Sequence, residues 1–104
     1  MFIIEETDIF SEWLENLADP LAVLHIVKRI ERAKLGNFGD HKSVGNGVFE
    51  MRITQGKGYR IYYARKGEIT YLLISGGDKS TQQSDIEKAK AMWQQIKQEQ
   101  HNDH

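Results

Sequence analysis

The chain contains no cysteine, a single proline and no long apolar run among its 104 residues. Without cysteine it can have no disulfide, no thiolate nucleophile, no cysteine-ligated zinc and no iron–sulfur cluster. No segment approaches the roughly 20 apolar residues that cross a bilayer, and the first residues lack the basic region of a signal peptide. We therefore expect a cytoplasmic protein that does not associate with a membrane and whose stability comes from core packing.

The length suits one domain rather than two. Hydrophobic residues make up 39% of the chain and charged residues 28%, a balance that supports one modest core and excludes a disordered chain. We expect a single domain over residues 1–104, with a frayed polar tail from about residue 98 to residue 104.

Basic residues are missing from the first 20 positions, which carry six acids. Residues 21–66 hold ten Lys and Arg against three Asp and Glu, whereas residues 67–104 hold four bases and six acids. The formal net charge of -1 therefore conceals a basic middle segment. Such a segment favours an anionic partner.

The N-terminal third predicts a short strand followed by a helical hairpin. Residues 2–4 are a β-type run, and the apolar residues that follow recur at helical spacing: Ile9, Phe10, Trp13, Leu14 and Leu17. Asp19-Pro20 predicts the N-cap of a second helix, and Gly36-Asn37 predicts its end. We expect this second helix to bury Val23, Val27 and Ile30 and to present a basic face of His25, Lys28, Arg29 and Arg32.

The remainder of the chain predicts a β-meander and a last helix. Beyond residue 37 the apolar period is two, with glycines at the turns. Residues 69–74 are nearly continuous in apolar side chains, as in a central strand covered on both faces, and Gly76-Gly77 predicts the end of this strand. A capping box at residues 80–83 opens the last helix, whose apolar stripe is Ile86, Ala89, Trp93 and Ile96. This order predicts an α+β fold with an antiparallel sheet.

The most informative stretch is the predicted hairpin over residues 48–64. If alternate residues face the core on both strands, the tightest register around Gly56 sets Ile53 opposite Tyr59. In that register Arg52 lies opposite Arg60, and Glu50 opposite Tyr62. Like charges directly opposite each other in a sheet are unfavourable by roughly 0.2–1 kcal/mol, so their pairing requires a reason.

One reason is anion binding. Two guanidiniums about 5 Å apart suit a phosphate that both can contact. Tyr62 beside them offers a stacking face or an acidic hydroxyl, and Lys79 at the start of the last helix would add a cation. The alternative is that Glu50 bridges diagonally to one guanidinium while the other is solvated.

No metal or cofactor is expected. The four histidines lack metal-ligand spacing. The glycines of residues 56–58 and 76–77 lack the remainder of a Walker loop or a dinucleotide fingerprint.

Several motifs follow one another over about residues 2–97. They are Phe10-x-x-Trp13-Leu14, Arg29-Ile30-x-Arg32, Gly36-Asn37-Phe38-Gly39-Asp40-x-Lys42-Ser43-Val44, Gly47-Val48-x-Glu50-x-Arg52-Ile53, Gly58-Tyr59-Arg60-Ile61-Tyr62 and Gly76-Gly77-Asp78-Lys79-Ser80-Thr81-Gln82-x-x-Asp85-Ile86-x-x-Ala89. With these motifs the chain resembles the HigB-like addiction-module killer proteins of the RelE/ParE toxin superfamily, which are also found as phage-derived proteins.

The resemblance implies a RelE-like fold: two N-terminal helices packed on a twisted antiparallel sheet of about four to five strands, plus a C-terminal helix. It also implies the toxin of a type II toxin–antitoxin pair, in an oligomeric complex with an antitoxin that often has a helix-turn-helix domain. RelE-like and HigB-like relatives cleave mRNA on the ribosome, whereas ParE-like relatives inhibit DNA gyrase without nuclease activity.

For the chain to act as a metal-independent endoribonuclease, its residues must align the ribose 2′-hydroxyl, move two protons and stabilise a phosphorane. The resemblance places basic catalytic groups at Arg52, Arg60 and Lys79, and we expect Tyr62 to join them by stacking a base or acting as an acid. His41 is a candidate general base by residue type only. Contacts with RNA or the ribosome are expected from Lys57, Lys42, Lys28, Arg29 and Arg32. The alternatives are a gyrase inhibitor and a non-catalytic RNA- or phosphate-binding domain.

Overall fold

The computed structural model describes residues 1–101, and within them three α-helices and five strands surround two hydrophobic clusters. The elements in chain order are β1 (Ile3–Glu6), α1 (Asp8–Glu15), α2 (Pro20–Lys34), β2 (His41–Gly45), β3 (Val48–Ile53), β4 (Tyr59–Arg65), β5 (Thr70–Asp78), a short 3₁₀ helix (Lys79–Thr81) and α3 (Gln82–His101). The α+β class and the element order predicted from the sequence are confirmed.

All five strands form one sheet in the order β1-β5-β4-β3-β2. The meander from β2 to β5 is antiparallel, but β1 pairs with β5 in parallel, with Ile3 beside Thr70 and Glu6 beside Leu73. The sheet is therefore mixed rather than purely antiparallel. Parallel pairing needs a long crossover connection, which the two helices and the meander provide.

The sheet is covered on both faces. Helices α1 and α2 pack on one face, over a cluster that includes Phe10, Ile26, Met51, Ile61 and Leu73. Helix α3 packs on the other face, over Val48, Tyr62, Ile74, Ala89 and Trp93. Leu73 and Ile74 belong to different clusters, which confirms that the apolar run of β5 is covered on both sides.

Helix α2 begins and ends where the sequence predicts. The Asp19 carboxylate accepts a hydrogen bond from the Ala22 N–H over 3.1 Å, Pro20 opens the helix, and Gly36 beyond its end has a φ of 92°. Of the predicted buried face, Ile30 packs against the core and Val23 is partly buried, but Val27 is 42% exposed. The fully buried residues of the helix are Ala22, Ile26 and Ala33.

Gly76 and Gly77 do not end a strand, because β5 continues through both of them to Asp78. A Cβ on Gly76 would collide with the Trp13 indole of α1, and a Cβ on Gly77 would collide with the Asp85 carboxylate of α3. A glycine inside a strand often marks a close approach of this kind. The two glycines allow a helix to contact each face of the sheet.

The last helix begins after a turn rather than a capping box. The Asp78 carboxylate caps the 3₁₀ helix by accepting from the Ser80 N–H over 2.8 Å. Helix α3 then runs to His101 and so ends later than predicted, while the rest of the expected tail, residues 102–104, lies outside the described residues. Across residues 1–101, no helix has the length and apolar character needed to span a bilayer.

Candidate functional site

Arg52 and Arg60 are directly opposite each other in the β3–β4 ladder, as the sequence predicted. The full predicted register is confirmed, including Ile53 with Tyr59 and Glu50 with Tyr62. The same register continues to β5, where Arg60 lies beside Gly77. Because side chains across a ladder share a face, the two guanidiniums lie on the face of the sheet that carries α3.

The acid that contacts this arginine pair is Asp40, not Glu50. Asp40 Oδ1 lies 3.0 Å from Arg52 Nη2, and the two side chains are 52% and 37% exposed. The proposed diagonal bridge from Glu50 was wrong. An ion pair this exposed contributes at most about 1 kcal/mol, so a phosphate can compete with Asp40 for Arg52.

Arg60 differs from Arg52 in its contacts with acidic side chains. Throughout residues 1–101, no carboxylate oxygen lies within 4.0 Å of its guanidinium nitrogens. Its Nε and that of Arg52 are both buried without a hydrogen-bond partner. Two half-buried guanidiniums, of which only Arg52 is paired with an exposed carboxylate, form a surface suited to an anion.

Tyr62 lies in the core below the arginines and cannot stack a base, because its side chain is fully buried. Its hydroxyl donates to Glu50 Oε2 over 3.1 Å, and Gln82 Nε2 donates to the same oxygen over 2.9 Å. Burial, followed by the negative charge of Glu50, raises the pKa of Tyr62 well above its usual range. The expectation that Tyr62 acts as an acid or a stacking platform is therefore corrected: it positions Glu50.

Lys42 is the exposed end of this buried network. It lies directly opposite Glu50 in the β2–β3 ladder, with 3.9 Å between Nζ and Glu50 Oε1. Half of the Lys42 side chain is exposed, whereas that of Glu50 is not exposed at all. The buried carboxylate thus places a cation one row away from the arginine pair.

Lys57 lies in the turn of the β3–β4 hairpin, and Lys79, the first residue of the 3₁₀ helix, lies beside that turn. A Cβ on Gly58 would lie 3.5 Å from Lys79 Cβ, so the lysine chain runs across the turn. Both lysines line a cleft of about 510 Å³ together with Asp78 and Ser80. Because Gly77 is the partner of Arg60 and Asp78 that of Tyr59, Lys79 follows two residues after the Arg60 partner, beside the hairpin turn.

The basic face predicted on α2 lines a second cleft of about 510 Å³ between that helix and β3. Lys28 and Arg32 are exposed there, and Arg52 lines the same cleft. Arg29 instead anchors the fold, since it donates to the carbonyl oxygens of Arg52, Phe38 and Asp40 over 2.6, 3.0 and 3.2 Å. Burial lowers its pKa from the ordinary arginine value.

His41 lies on the opposite face from the arginine pair. It is the partner of Met51, next to Asp40 in sequence, and successive strand residues point to opposite faces. Its ring contacts Phe38 and Phe49 at centroid distances of 6.1 and 6.4 Å. His41 is therefore not placed to act as a base at the arginine pair.

Three residues near the arginine pair were not predicted for the site: Asp40, Gln82 and Asp85. Gln82 connects α3 to the buried Glu50, and Asp85 lies over Gly77 beside Arg60. For Asp85 the signal in the sequence was Gly77, because a glycine within a strand often marks a close approach of another segment. Among the described residues no group of three His, Cys, Asp or Glu side chains could hold a metal ion.

Comparison with known proteins places the chain in a family. A family model described as Phage derived protein Gp49-like (DUF891) matches residues 12–95. An uncharacterized protein of Haemophilus influenzae is 45% identical over 93 residues, which cover 89% of this chain and 94% of the relative. The matched region includes both arginines, Asp40 and the buried Glu50 network. The chain therefore belongs to the Gp49-like family of phage-derived proteins, a toxin family of the RelE/HigB type.

Proposed function

We propose that this protein is the HigB-like toxin of a type II toxin–antitoxin pair and that it cleaves mRNA on the translating ribosome. The observation that supports this proposal is the pairing of Arg52 with Arg60 across β3 and β4. Two guanidiniums facing each other, with an exposed carboxylate paired to only one of them, suit a phosphodiester better than a neutral ligand.

The reaction requires no bound group beyond the substrate. The ribose 2′-oxygen forms a bond to its own phosphorus while the bond from phosphorus to the 5′-oxygen breaks, leaving a cyclic phosphate and a 5′-hydroxyl. Arg60 and Arg52 stabilise the additional negative charge on the phosphorane oxygens. A charge that develops between two fixed cations needs little reorganisation as the reaction proceeds.

We assign the proton acceptor to Asp40. Arg52 contacts its Oδ1 at 3.0 Å, so Oδ2 is the atom that would take the 2′-hydroxyl proton. Lys79, an exposed lysine beside the hairpin tip, would supply a supporting charge or the proton that the 5′-oxygen needs. Tyr62 and Glu50 support the site from the core and do not touch RNA.

The exposed cations around the site would hold RNA through its phosphates, without reading sequence. They are Lys28 and Arg32 on α2, Lys42 on β2 and Lys57 on the hairpin tip. Arg29 is excluded from this set because its guanidinium is committed to three carbonyl oxygens. Because the formal net charge of the chain is only -1, binding would depend on this local patch.

Membership of a toxin family also suggests a protein antitoxin that holds this chain inactive. We propose that the antitoxin carries a helix-turn-helix domain and that the complex is oligomeric. The neighbouring reading frame tests this directly: its product should copurify with the chain and restore growth when the two are expressed together.

The test of the function is induction of the chain in a bacterium, followed by mapping of mRNA 5′ ends and measurement of plasmid supercoiling. We expect new 5′ ends within translated regions and normal supercoiling. Intact transcripts with relaxed plasmids would show a gyrase inhibitor instead, and intact transcripts with normal supercoiling would show a non-catalytic binding domain. Arg60→Gln and Asp40→Asn should abolish the new ends, whereas Lys88→Gln on the exposed side of α3 should not.

A further inference from the structure

An aromatic pocket lies on the face of the sheet opposite the arginine pair. It has a volume of about 280 Å³ and is lined by Phe38, His41, Phe49, Tyr63, Arg65 and Tyr71. Four of these six side chains are aromatic rings, and the other two are an imidazole and a guanidinium. No acidic side chain lines the pocket. The lining therefore favours an aromatic group that belongs to an anionic molecule.

The rings form a continuous aromatic wall. Phe38 and Phe49 each stack with Tyr63, at centroid distances of 5.1 and 5.7 Å and interplanar angles of 9° and 24°. Tyr71 closes the wall at 4.7 Å from Phe38. Phe38, Phe49 and Tyr71 are only partly buried, so part of their ring surface is available to a ligand that stacks.

The two polar members of the pocket are held in place. Arg65 donates from Nε to the Gly67 carbonyl over 3.1 Å and from a terminal nitrogen to the Glu68 carbonyl. His41 Nδ1 lies 2.8 Å from the Gly39 carbonyl oxygen. Because a carbonyl only accepts, Nδ1 donates this hydrogen bond, and Nε2 is the ring nitrogen that a ligand can contact. The pocket thus offers stacking surface, a fixed guanidinium and one polar ring atom.

We propose that this pocket binds a single nucleobase of the RNA that the arginine pair contacts, a proposal that rests on the proposed function. Stacking on aromatic side chains next to an arginine is the way proteins bind bases of single-stranded RNA. The volume suits one ring system and is too small for a helix or strand of a partner. Every base has a stacking face, so this contact would add affinity with little sequence preference.

The position of the pocket fits a single RNA strand that contacts both faces. β2 is an edge strand that begins at His41. The consecutive residues Asp40 and His41 belong to the two different sites. Asp40 contacts the arginine pair on one face, and His41 lines the aromatic pocket on the other. An RNA that crosses this edge can place its phosphate against Arg52 and an adjacent base against Phe49.

Two soluble probes separate the two sites in the full-length chain. Titration with adenosine, which has no phosphate, should shift the NMR signals of His41 and Phe49 and leave those of Arg52 and Arg60 in place. Inorganic phosphate should do the reverse. Adenosine that moves no signal of the pocket at millimolar concentration would overturn the proposal, whether or not the protein cuts RNA.

Binding of a fluorescent RNA octamer measures the contribution of the pocket. Phe49→Leu should weaken binding about tenfold, as expected for the loss of one stacked base, and should leave the salt dependence unchanged. Arg60→Gln, the matched control in the other site, should reduce the salt dependence because it removes a phosphate contact. Unchanged octamer affinity in Phe49→Leu would overturn the base-binding proposal.

The exposed His41 gives a second variant that does not depend on core packing. His41→Ala should also weaken the octamer, and its thermal midpoint should equal that of the wild type. If His41→Ala and Phe49→Leu retain RNA affinity but lose binding to the antitoxin, the pocket holds a side chain of the protein partner and the proposal is wrong. If adenosine binds the pocket while no RNA is cut in cells, the result supports base binding by the pocket and contradicts the proposed nuclease function.

Discussion

The Tyr62 hydroxyl donates a hydrogen bond to Glu50 Oε2 over 3.1 Å, and both side chains are completely buried between the sheet and α3. A buried carboxylate is costly unless it is paired and hydrogen-bonded. Tyr62 and Gln82 donate hydrogen bonds to Glu50 Oε2, and Lys42 on a third element places its charge 3.9 Å from Oε1. The network therefore couples β2, β4 and α3 directly beneath the arginine pair.

Removing the Tyr62 hydroxyl should weaken the fold. Tyr62→Phe leaves Glu50 with one donor fewer, and a hydrogen bond to a charged group contributes roughly 1.5–3 kcal/mol. We expect a loss of that order in the free energy of unfolding, measured by urea denaturation at neutral pH. Tyr71→Phe is the matched control, since its hydroxyl makes no hydrogen bond within the described chain; equal stability of Tyr62→Phe and wild type would contradict the role given to the network.

The arginine pair should matter for activity and not for stability. Arg60→Gln should reduce RNA cleavage by about 100-fold or more, the usual cost of removing one donor to a developing oxyanion. Its free energy of unfolding should change by less than about 1 kcal/mol, because relief of the repulsion between like charges offsets the lost packing.

Single-turnover cleavage on programmed ribosomes and thermal melts measure the two effects of Arg60→Gln separately. Lys88→Gln, a charge change of the same size on the exposed side of α3, is the control and should alter neither. A variant that melts far below the wild type would make Arg60 a structural residue.

Gly76 should tolerate no side chain. Gly76→Ala pushes a methyl group into the Trp13 indole, and overpacking of a tight contact typically costs about 1–3 kcal/mol. The loss should appear in the thermal midpoint and in the near-ultraviolet circular dichroism of Trp13. Gly67→Ala is the control because its nearest neighbour would be the Thr70 side chain at 3.8 Å, an ordinary contact; equal effects of the two substitutions would refute this account of Gly76.

Arg29 and Arg32 should behave differently although both belong to the basic face of α2. Arg29→Ala leaves three carbonyl oxygens without their donor, at about 1–3 kcal/mol for each one that stays buried. We expect a loss of at least about 2 kcal/mol in the free energy of unfolding. Arg32→Ala should change stability by less than about 0.5 kcal/mol but weaken RNA binding and reduce its salt dependence. The opposite pattern in urea denaturation would reverse the two roles.

The cap at Asp78 should make stability depend on pH. Hydrogen bonds from the Ser80 hydroxyl and N–H hold the pKa of Asp78 below its ordinary value. A carboxyl group whose pKa is lower in the folded state contributes stability above its unfolded pKa of about 3.9 and loses it as the pH falls through the folded value.

The comparison that isolates this effect is Asp78→Asn, which keeps an acceptor for the cap but does not titrate. The wild type should exceed this variant in thermal midpoint at pH 7, and the difference should shrink below about pH 4. A difference that stays constant down to pH 2 would show that protonation of Asp78 does not affect the stability of the fold.

The sequence predicted the hairpin register because two local constraints agree there. Alternation of apolar residues on both strands allows only even registers, and the short turn selects one of them. The Arg52–Arg60 pairing followed from that register without any knowledge of the remaining chain. The ends of α2 were equally local, since Asp19, Pro20 and Gly36 act within one turn of the helix.

Other features depended on contacts between distant segments. Tyr62 appears exposed when the hairpin is considered alone, and only the packing of α3 buries it with Glu50. His41 was separated from the arginine pair by its place in the β2–β3 register, which the sequence did not predict. The close contacts of Gly76 with Trp13 and of Gly77 with Asp85 join residues that no local pattern relates.

By itself, the sequence determined the class of fold, the order of its elements and the pair of arginines, because periodicity, caps and turn length act over short distances. The tertiary structure alone decided which side chains around that pair are buried, which acid contacts Arg52 and which face His41 occupies. Those outcomes depend on how helices cover a sheet, since burial is a property of the assembled layers and not of any one segment.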